Sequence, residues 1–199
     1  MIKNIKYIIS LLVVLLLTGP AFGLSDAYKN NIYSPGELKP VDSVLNVKVG
    51  DKAPDFTLPS LSGERISLND YKGKKNVVLS FVPAAWTPVC SDQWPGYNLA
   101  RSFFDENDAI LLGITVDNIP TLYAWTNQMG NLWFPVLSDF WPHGGVADLY
   151  GVLRTSGVTE RALFVIDKEG IIRYATVGDI NKRPELGALV TELRKLKGK

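Results

Sequence analysis

Two uninterrupted runs of apolar residues dominate the hydrophobic pattern of the chain. They are Asn76–Val82 (NVVLSFV) and Ala109–Val116 (AILLGITV), and each has the length of a β-strand. A continuous apolar run suits a strand that is covered on both faces of a sheet. A shorter strand is predicted at Phe134–Leu137. The pattern therefore predicts a buried central sheet.

Alternation of apolar and polar residues predicts two pairs of antiparallel strands. In PDFTLPSLSGERISL, apolar positions alternate with polar ones on both sides of a Ser62-Gly63 turn. Ala162–Asp167 and Ile171–Val177 alternate in the same way around a Lys-Glu-Gly turn. Alternation interrupted by a short polar turn is typical of a β-hairpin.

Apolar residues at helical spacing occupy the segments between the predicted strands. Helices are predicted at Pro88–Asn107, with a kink at Pro95-Gly96, at Pro120–Met129, at Val146–Tyr150 and at Pro184–Lys197. Proline at a first helical position, glycine after a last one and leucines on one face support these bounds. The order of elements predicts an α/β fold, a mixed central sheet with helices on both faces and antiparallel strands at its end.

The first 23 residues resemble a targeting signal more than part of a fold. Lys3 and Lys6 precede an apolar core at Tyr7–Leu17, and Ala21-Phe22-Gly23 supplies small residues for cleavage. We therefore expect a cleaved signal peptide (1–23) and export to the periplasm or another extracytoplasmic space. An uncleaved membrane anchor is the alternative, but the apolar core falls short of the roughly 20 residues needed to span a bilayer.

Residues 24–46 are polar, contain Pro35, Gly36 and Pro40, and show no sustained periodicity. This composition predicts an extended or loosely attached leader before a single domain at 47–199. Without Lys3 and Lys6 the chain has 19 basic and 20 acidic residues, a net charge of −1. Such a balance, with no basic run, argues against nucleic acid as a partner.

Cys90 is the only cysteine among 199 residues. In an exported protein an unpaired cysteine indicates an intermolecular bond or a reactive thiol. The alternative is a small buried structural residue, as free cysteines often are. Cys90 follows a predicted buried strand and lies in the first turn of a predicted helix, where unpaired N–H groups stabilise a thiolate. This position favours a reactive thiol.

The residues around Cys90 also carry a family resemblance. Pro83, Thr87 and Cys90 form the pattern P-x-x-x-T-x-x-C, which resembles that of the peroxiredoxins, thiol peroxidases built on a thioredoxin-like fold. GDKAPDFTLPSLSGERISLNDYKGKKNVVLSFVP is similar to the opening of that family, and ERALFVIDKEGIIRY places Arg161 where the family keeps its active-site arginine. LSDFWPHGGVADLYGV is similar to the AhpE-like one-cysteine branch. The resemblance covers about residues 47–197.

The resemblance implies a function and a set of roles. Cys90 would attack hydrogen peroxide or an organic hydroperoxide and become a sulfenic acid. Thr87 would align the peroxide with the sulfur, Arg161 would favour the thiolate and hold the polarised O–O bond, and Pro83 would shield the site. The resemblance also favours a homodimer, and no cofactor or metal is expected.

Two positions depart from the family pattern. Many peroxiredoxins carry a glutamate where this chain has Gln93, and some carry a second cysteine where it has Pro95. With no second cysteine in the chain, an external thiol or thiol protein must reduce the sulfenic acid.

Two other functions compete with a peroxidase. An exported thioredoxin-like thiol-disulfide oxidoreductase would need C-x-x-C, whereas Thr87 occupies the place of the first cysteine. A redox-sensing binding module is disfavoured by the complete set of Pro83, Thr87, Cys90 and Arg161. The single histidine, His143, lies in a predicted loop and is expected to have a structural or surface role. Trp86 and Trp94 are expected to form walls of a pocket or interface.

Overall fold

The computed structural model describes residues 26–197, apart from the side chain of Ala27. The helices are α1 (Asp26–Asn30), α2 (Pro88–Asn98), α3 (Arg101–Glu106), α4 (Ile119–Met129), α5 (Gly145–Tyr150) and α6 (Leu186–Arg194). The strands are β1 (Thr57–Pro59), β2 (Arg65–Ser67), β3 (Asn76–Phe81), β4 (Ala109–Thr115), β5 (Val136–Ser138), β6 (Arg161–Ile166) and β7 (Ile172–Gly178). A short 3-10 helix, Leu68–Tyr71, follows β2.

The central sheet has five strands in the order β5-β4-β3-β6-β7. Strands β3, β4 and β5 are parallel, whereas β6 pairs antiparallel with both β3 and β7. Strands β1 and β2 form a separate antiparallel pair. The predicted mixed sheet, both hairpins and the fully buried β3 are therefore confirmed.

The sheet is covered on both faces because neighbouring residues of its buried strands point to opposite sides. Val78 packs into one apolar cluster, whereas Val77 and Leu79 pack into the other. The first cluster takes its helical residues from α1, α2, α3, α4 and α6, and the second takes them from α5 together with β1, β2 and the 3-10 helix. Each fully buried aliphatic side chain contributes about 1.5–3 kcal/mol, so both clusters stabilise the sheet.

The single helix predicted at Pro88–Asn107 is wrong, because the chain forms two helices there. Helix α2 continues through Pro95, and the break comes at Leu99 and Ala100. Tyr97 and Phe104 are both buried, whereas Leu99 is 88% exposed. Tyr97 and Phe104 lie seven residues apart, a spacing that one continuous helix would also place on a single face, so their burial does not explain the break.

Hydrogen bonds and one buried side chain hold the described part of the predicted leader, which was expected to be extended or loosely attached, against the domain. Helix α1 carries Tyr28, which is fully buried and whose hydroxyl accepts a hydrogen bond from Trp125 Nε1 at 3.1 Å. Residues 31–46, here called the strap, then cross the surface of the domain. The Tyr33 N–H donates to Trp86 O at 2.7 Å, which ties the beginning of the strap to the loop after β3.

A buried ion pair holds the far end of the strap. Glu160 is fully buried and accepts from Arg154 Nη1 at 2.6 Å. Its other carboxylate oxygen accepts from the N–H groups of Asp42 and Ser43, at 2.5 and 2.9 Å. Arg154 Nη2 also donates to Lys39 O at 2.8 Å. The strap thus provides hydrogen-bond partners for both members of the buried ion pair. Without such partners, burying these two charges would be costly in free energy.

Glycine is required where the strap ends. Gly151 ends α5 with φ +71°, and a Cβ at this position would overlap Val44 O and Asn46 N. A side chain here would therefore displace the strap as well as strain the turn. The predicted signal peptide at 1–23 lies outside the described residues. Within 26–197, none of the helices has the length and apolar character to cross a membrane.

Candidate active site

Cys90 lies at the beginning of α2, directly after the loop that follows β3. Thr87 caps the helix, Pro88 is its first residue, and Cys90 is its third. The amide groups of a first helical turn have no partners within the helix, and their dipoles favour a thiolate. The Cys90 side chain is fully buried. Burial alone would fit a structural cysteine, so the polar groups around the sulfur must distinguish a structural cysteine from a reactive one.

Arg161 is the polar neighbour that touches the sulfur. It is the first residue of β6, and β6 pairs with β3 so that Ala162 lies opposite Phe81. This register brings the beginning of β6 to the end of β3, beside the loop that leads to Cys90. Arg161 Nη2 donates to Cys90 Sγ at 3.4 Å, across 71 residues of sequence, and Arg161 is only 2% exposed. A permanent positive charge is therefore held against the thiol in a water-poor setting.

The Arg161 guanidinium is fixed by further hydrogen bonds. Nη1 donates to Gln93 Oε1 at 2.5 Å, and Nε and Nη2 donate to Ile180 O at 3.2 and 3.0 Å. Gln93 in turn donates through Nε2 to Tyr97 OH at 2.9 Å and to Ser80 Oγ at 3.2 Å. Burial raises the pKa of Tyr97, which keeps its hydroxyl protonated. The arginine is thus preorganised by a chain of buried partners.

Pro83, Thr87 and Arg161 line one cavity of about 500 Å³. The Thr87 hydroxyl donates to Ala84 O at 2.9 Å within the same loop. Cys90 does not line the cavity and has no exposed surface, but its sulfur contacts Arg161, which does line it. The structure therefore brings all four predicted site residues to one place.

Trp86, between Pro83 and Cys90, adopts a strained backbone conformation. Its φ is +61°, which is unfavourable for a bulky side chain. Its ring packs against Tyr28 at 6.0 Å between centroids, and its carbonyl accepts from Tyr33 N. Ala85 N donates to Asp117 Oδ2 at 2.7 Å. The surroundings therefore hold the loop in a shape that costs on the order of 1–3 kcal/mol. Trp86 serves as a support of this loop.

Trp94 and His143 take no part in the cavity. Trp94 is fully buried, where its ring packs against Trp125 at 5.0 Å between centroids. His143 is exposed, and its Nε2 lies 2.6 Å from Gly157 O. Both positions are structural. Among the residues that the structure describes, no group of three or more His, Cys, Asp or Glu side chains could hold a metal ion.

Two parts of the site were missed by sequence reasoning. Gln93 was recognised only as a departure from a pattern, yet it directly holds Arg161. Its spacing of three from Cys90 and four from Tyr97 on one helix could have indicated a shared face. The other part is Tyr33–Leu38 of the strap, which lines the cavity together with Ile180 and Asn181. No sequence signal marked that segment.

A larger cavity of about 750 Å³ lies between the β1–β2 pair and the end of α4. Its lining contains none of Pro83, Thr87, Cys90 and Arg161, so its size does not make it the better candidate. Arg161, which contacts the Cys90 sulfur, lines the smaller cavity together with Pro83 and Thr87, and this decides the assignment.

Comparison with known proteins places these residues in a family context. A model described as the AhpC/TSA family matches residues 49–175. Alkyl hydroperoxide reductase E of Mycobacterium tuberculosis is 42% identical over 130 residues, which cover 65% of this chain and 84% of the relative. The chloroplastic 2-cysteine peroxiredoxin of Chattonella marina var. antiqua is 36% identical over 146 residues, covering 69% of this chain and 74% of the relative.

Solved structures agree with these sequence matches. The reduced 2-Cys peroxiredoxin of Plasmodium vivax is similar with a TM-score of 0.70 and 27% identity, over 74% of this chain and 81% of that one. AhpC of Mycobacterium tuberculosis has a TM-score of 0.69 at 24% identity, over 76% and 94% of the two chains. The second likeness concerns the fold alone. The strap precedes the segment that the family model matches.

Proposed function

Because the chain belongs to the AhpC/TSA family of peroxiredoxins, we propose that Cys90 is the thiol with which it reduces peroxides. The protein is a thiol-dependent peroxidase with a thioredoxin-like fold, as its sequence predicted. Its substrate is a peroxide and its reductant is a thiol. The observation that carries the assignment to Cys90 is the 3.4 Å contact from Arg161 Nη2 to its sulfur at a helix N-terminus.

In the first half-reaction the Cys90 thiolate attacks the terminal oxygen of a hydroperoxide, ROOH. An S–O bond forms while the O–O bond breaks, so the sulfur is oxidised and the peroxide is reduced by two electrons. The leaving RO⁻ takes up a proton and departs as an alcohol, or as water when R is hydrogen. Cys90 is left as a sulfenic acid. Negative charge moves from sulfur to the leaving oxygen during this step.

The other three residues take roles that fit this movement of charge. Arg161 donates hydrogen bonds to the sulfur before reaction and to the peroxide oxygens during it, and its charge does not depend on a proton. The Thr87 hydroxyl exchanges its bond to Ala84 O for a peroxide oxygen and aligns the O–O bond with Sγ. Pro83 lines the cavity without an N–H group, and so limits water near the reacting atoms.

The second half-reaction needs sulfur from another molecule. Cys90 is the only cysteine in the chain, so no internal disulfide can form. An external thiol R′SH condenses with the sulfenic acid to give a mixed disulfide and water. A second R′SH then releases the Cys90 thiol and leaves with the first as R′SSR′. This one-cysteine cycle matches the branch of the relative that is 42% identical. The lack of a second cysteine disfavours a thiol-disulfide oxidoreductase.

We also propose that organic hydroperoxides are among the substrates. The 42% identical relatives are named alkyl hydroperoxide reductases. The cavity of about 500 Å³ beside Arg161 and Thr87 leaves room for an organic group.

Stopped-flow tryptophan fluorescence tests the proposed function, since Trp86 and Trp94 lie close to Cys90 in sequence and on its helix or loop. Reduced protein mixed with hydrogen peroxide should change its emission much faster than free cysteine reacts. Cys90→Ser should abolish the change, whereas Tyr123→Phe, at a residue 61% exposed and outside the cavity, should preserve it. Reaction of the native protein at the rate of free cysteine would instead favour a binding or sensing module.

Localisation and assembly complete the proposal. The charged and apolar segments at 1–23 support export with cleavage after Gly23, which mass measurement of the extracytoplasmic protein would test. An intact N-terminus in the membrane fraction would support an anchor instead. A homodimer is supported by exposed apolar side chains at Phe140 (48%) and Trp141 (82%), in the loop before α5. Sedimentation velocity of native protein and Trp141→Glu tests whether this loop forms the contact.

A further inference from the structure

The strap forms one wall of the cavity that leads to Cys90. Tyr33–Leu38 line it on one side, and Pro83, Thr87 and Arg161 line it on the other. The family model begins only at Val49, so this wall is built by residues that the family match does not include. The strap therefore lies outside the segment that the family model matches.

Hydrogen bonds hold this wall in place on both sides of the cavity. At one end Tyr33 N donates to Trp86 O at 2.7 Å. At the other end the Asn181 side chain bonds both backbone groups of Leu38, accepting from N–H at 2.9 Å and donating to the carbonyl at 2.8 Å. Ile180, whose carbonyl holds Arg161, also donates its N–H to the strap at 3.0 Å. The wall is thus built into the same network as the arginine.

The wall presents apolar side chains that have little cover of their own. Tyr33 is 69% exposed and Leu38 is 36% exposed, and Pro35 lies between them. Exposed apolar groups gathered around a reactive site are typical of a surface that a ligand covers. The facing wall is apolar as well, since Ala84, Val89 and others line it.

The size of the cavity exceeds what hydrogen peroxide needs. A molecule of two oxygen atoms takes up roughly twice the 30 Å³ share of a water molecule. The cavity measures about 500 Å³. Glu37 is the charged residue that the strap adds to the lining, and it disfavours a carboxylate on the ligand. An uncharged alkyl or aryl group fits both the space and the lining.

We propose that the strap determines substrate specificity: Tyr33, Pro35 and Leu38 hold the uncharged apolar group of an organic hydroperoxide whose peroxide end lies at Arg161 and Thr87. This inference rests on the proposed peroxidase role of Cys90. The reaction is the first half-reaction given above, and the alcohol that leaves carries the apolar group. The strap acts on the organic part of the substrate and touches no reacting atom.

The test compares two peroxides on the same variants. Second-order rate constants for oxidation of Cys90 are measured by stopped flow with cumene hydroperoxide and with hydrogen peroxide. The variants are Tyr33→Ala, Leu38→Ala and their combination. Val44→Ala is the matched control, since Val44 belongs to the same strap, is 83% exposed and lies outside the cavity. Leu38→Met keeps the apolar volume and serves as the conservative replacement.

The ratio of the two rate constants, cumene over hydrogen peroxide, carries the result. Loss of one apolar contact in an enclosed pocket changes the discrimination between two substrates by roughly 10-fold or more. Because Tyr33 and Leu38 are partly exposed to solvent, we expect about 3- to 10-fold for each of them. We expect the ratio to fall by that factor in each alanine variant, further in the double variant, and not in Val44→Ala or Leu38→Met.

An unchanged ratio in the double variant, or an equal fall in Val44→Ala, would overturn the inference. Because both side chains are exposed, the variants should keep the native melting temperature; a variant that unfolds early is replaced by Tyr33→Ser or Leu38→Ser. The proposed function fails separately, if the native protein reacts with hydrogen peroxide no faster than free cysteine.

Discussion

Replacing Arg161 with lysine tests whether the positive charge beside the sulfur is sufficient, or whether the directions of the guanidinium hydrogen bonds are also needed. Lysine keeps one positive charge but concentrates its donors at a single nitrogen, whereas the guanidinium donates from three nitrogens in fixed directions. In the native protein these donors reach Cys90 Sγ, Gln93 Oε1 and Ile180 O at 3.4, 2.5 and 3.0 Å. A lysine ammonium cannot reach all three acceptors together.

The size of the effect follows from these contacts. Gln93 and Ile180 are 1% and 4% exposed, so an acceptor left without a donor receives no water in exchange. One such orphan costs about 1–3 kcal/mol of the free energy of unfolding. Loss of one preorganised donor in the transition state lowers a rate about 10²–10³-fold. We therefore expect Arg161→Lys to fold with reduced stability and to react with peroxide about 10²–10³ times more slowly.

The assay is the stopped-flow rate constant with hydrogen peroxide, at a temperature where circular dichroism shows the variant folded. Arg173→Lys is the control, because Arg173 pairs with Asp167 and lies near the end of the sheet away from Arg161. It should change the rate constant less than about twofold, because Arg173 does not line the cavity and keeps its positive charge beside Asp167 as lysine. If Arg161→Lys kept a third or more of the native rate constant, charge alone would suffice and the argument from geometry would be wrong.

Three further predictions concern the partners of the site. Gln93→Leu leaves Arg161 Nη1 without its acceptor, and urea titration should show a free energy of unfolding lower by about 1–3 kcal/mol. The rate constant with peroxide should fall as well. Gln93→Glu keeps an acceptor at this position and should lower both quantities less. Thr87→Val should slow peroxide oxidation about 10²-fold with little change in stability, and an unchanged rate would remove the hydroxyl from the mechanism. Burial raises the pKa of Tyr28 and Tyr97, so the unfolded chain releases their protons first. The free energy of unfolding should therefore be independent of these two tyrosines below about pH 10 and should decrease above it. Urea midpoints at about pH 8.5 and 10.5 should show a smaller loss in Tyr28→Phe than in native protein.

Local patterns predicted the elements of the sheet well, because their burial is visible in the sequence. The run at Asn76–Val82 contains β3, the apolar run after Arg161 forms β6, and both strands are buried at every position, whereas the Lys-Glu-Gly turn separates β6 from β7. The break at Leu99 was not predictable in this way. Apolar residues seven positions apart, here Tyr97 and Phe104, fit one continuous helix as well, so the sequence pattern carried no signal of a break.

Among the site residues, Cys90 was predictable from its position between a buried strand and a helix, whereas Pro83 and Thr87 came from family resemblance. Arg161 came from resemblance alone, and the register of β6 against β3 supplies the physical reason for its position. The strap was beyond prediction because its conformation depends on distant partners, Asn181 and the buried Glu160 among them. A segment without periodicity reveals nothing about its contacts until those partners are placed.

The central claim is that Cys90 carries the oxidation and that another molecule reduces it. Mass spectrometry of peptides containing Cys90 tests both parts, after one equivalent of hydrogen peroxide in the presence of a sulfenic-acid trap, and then after a candidate thiol instead of the trap. The account predicts a trapped sulfenic acid at Cys90, followed by a mixed disulfide at the same residue. A Cys90 that stays unmodified while peroxide is consumed would contradict it.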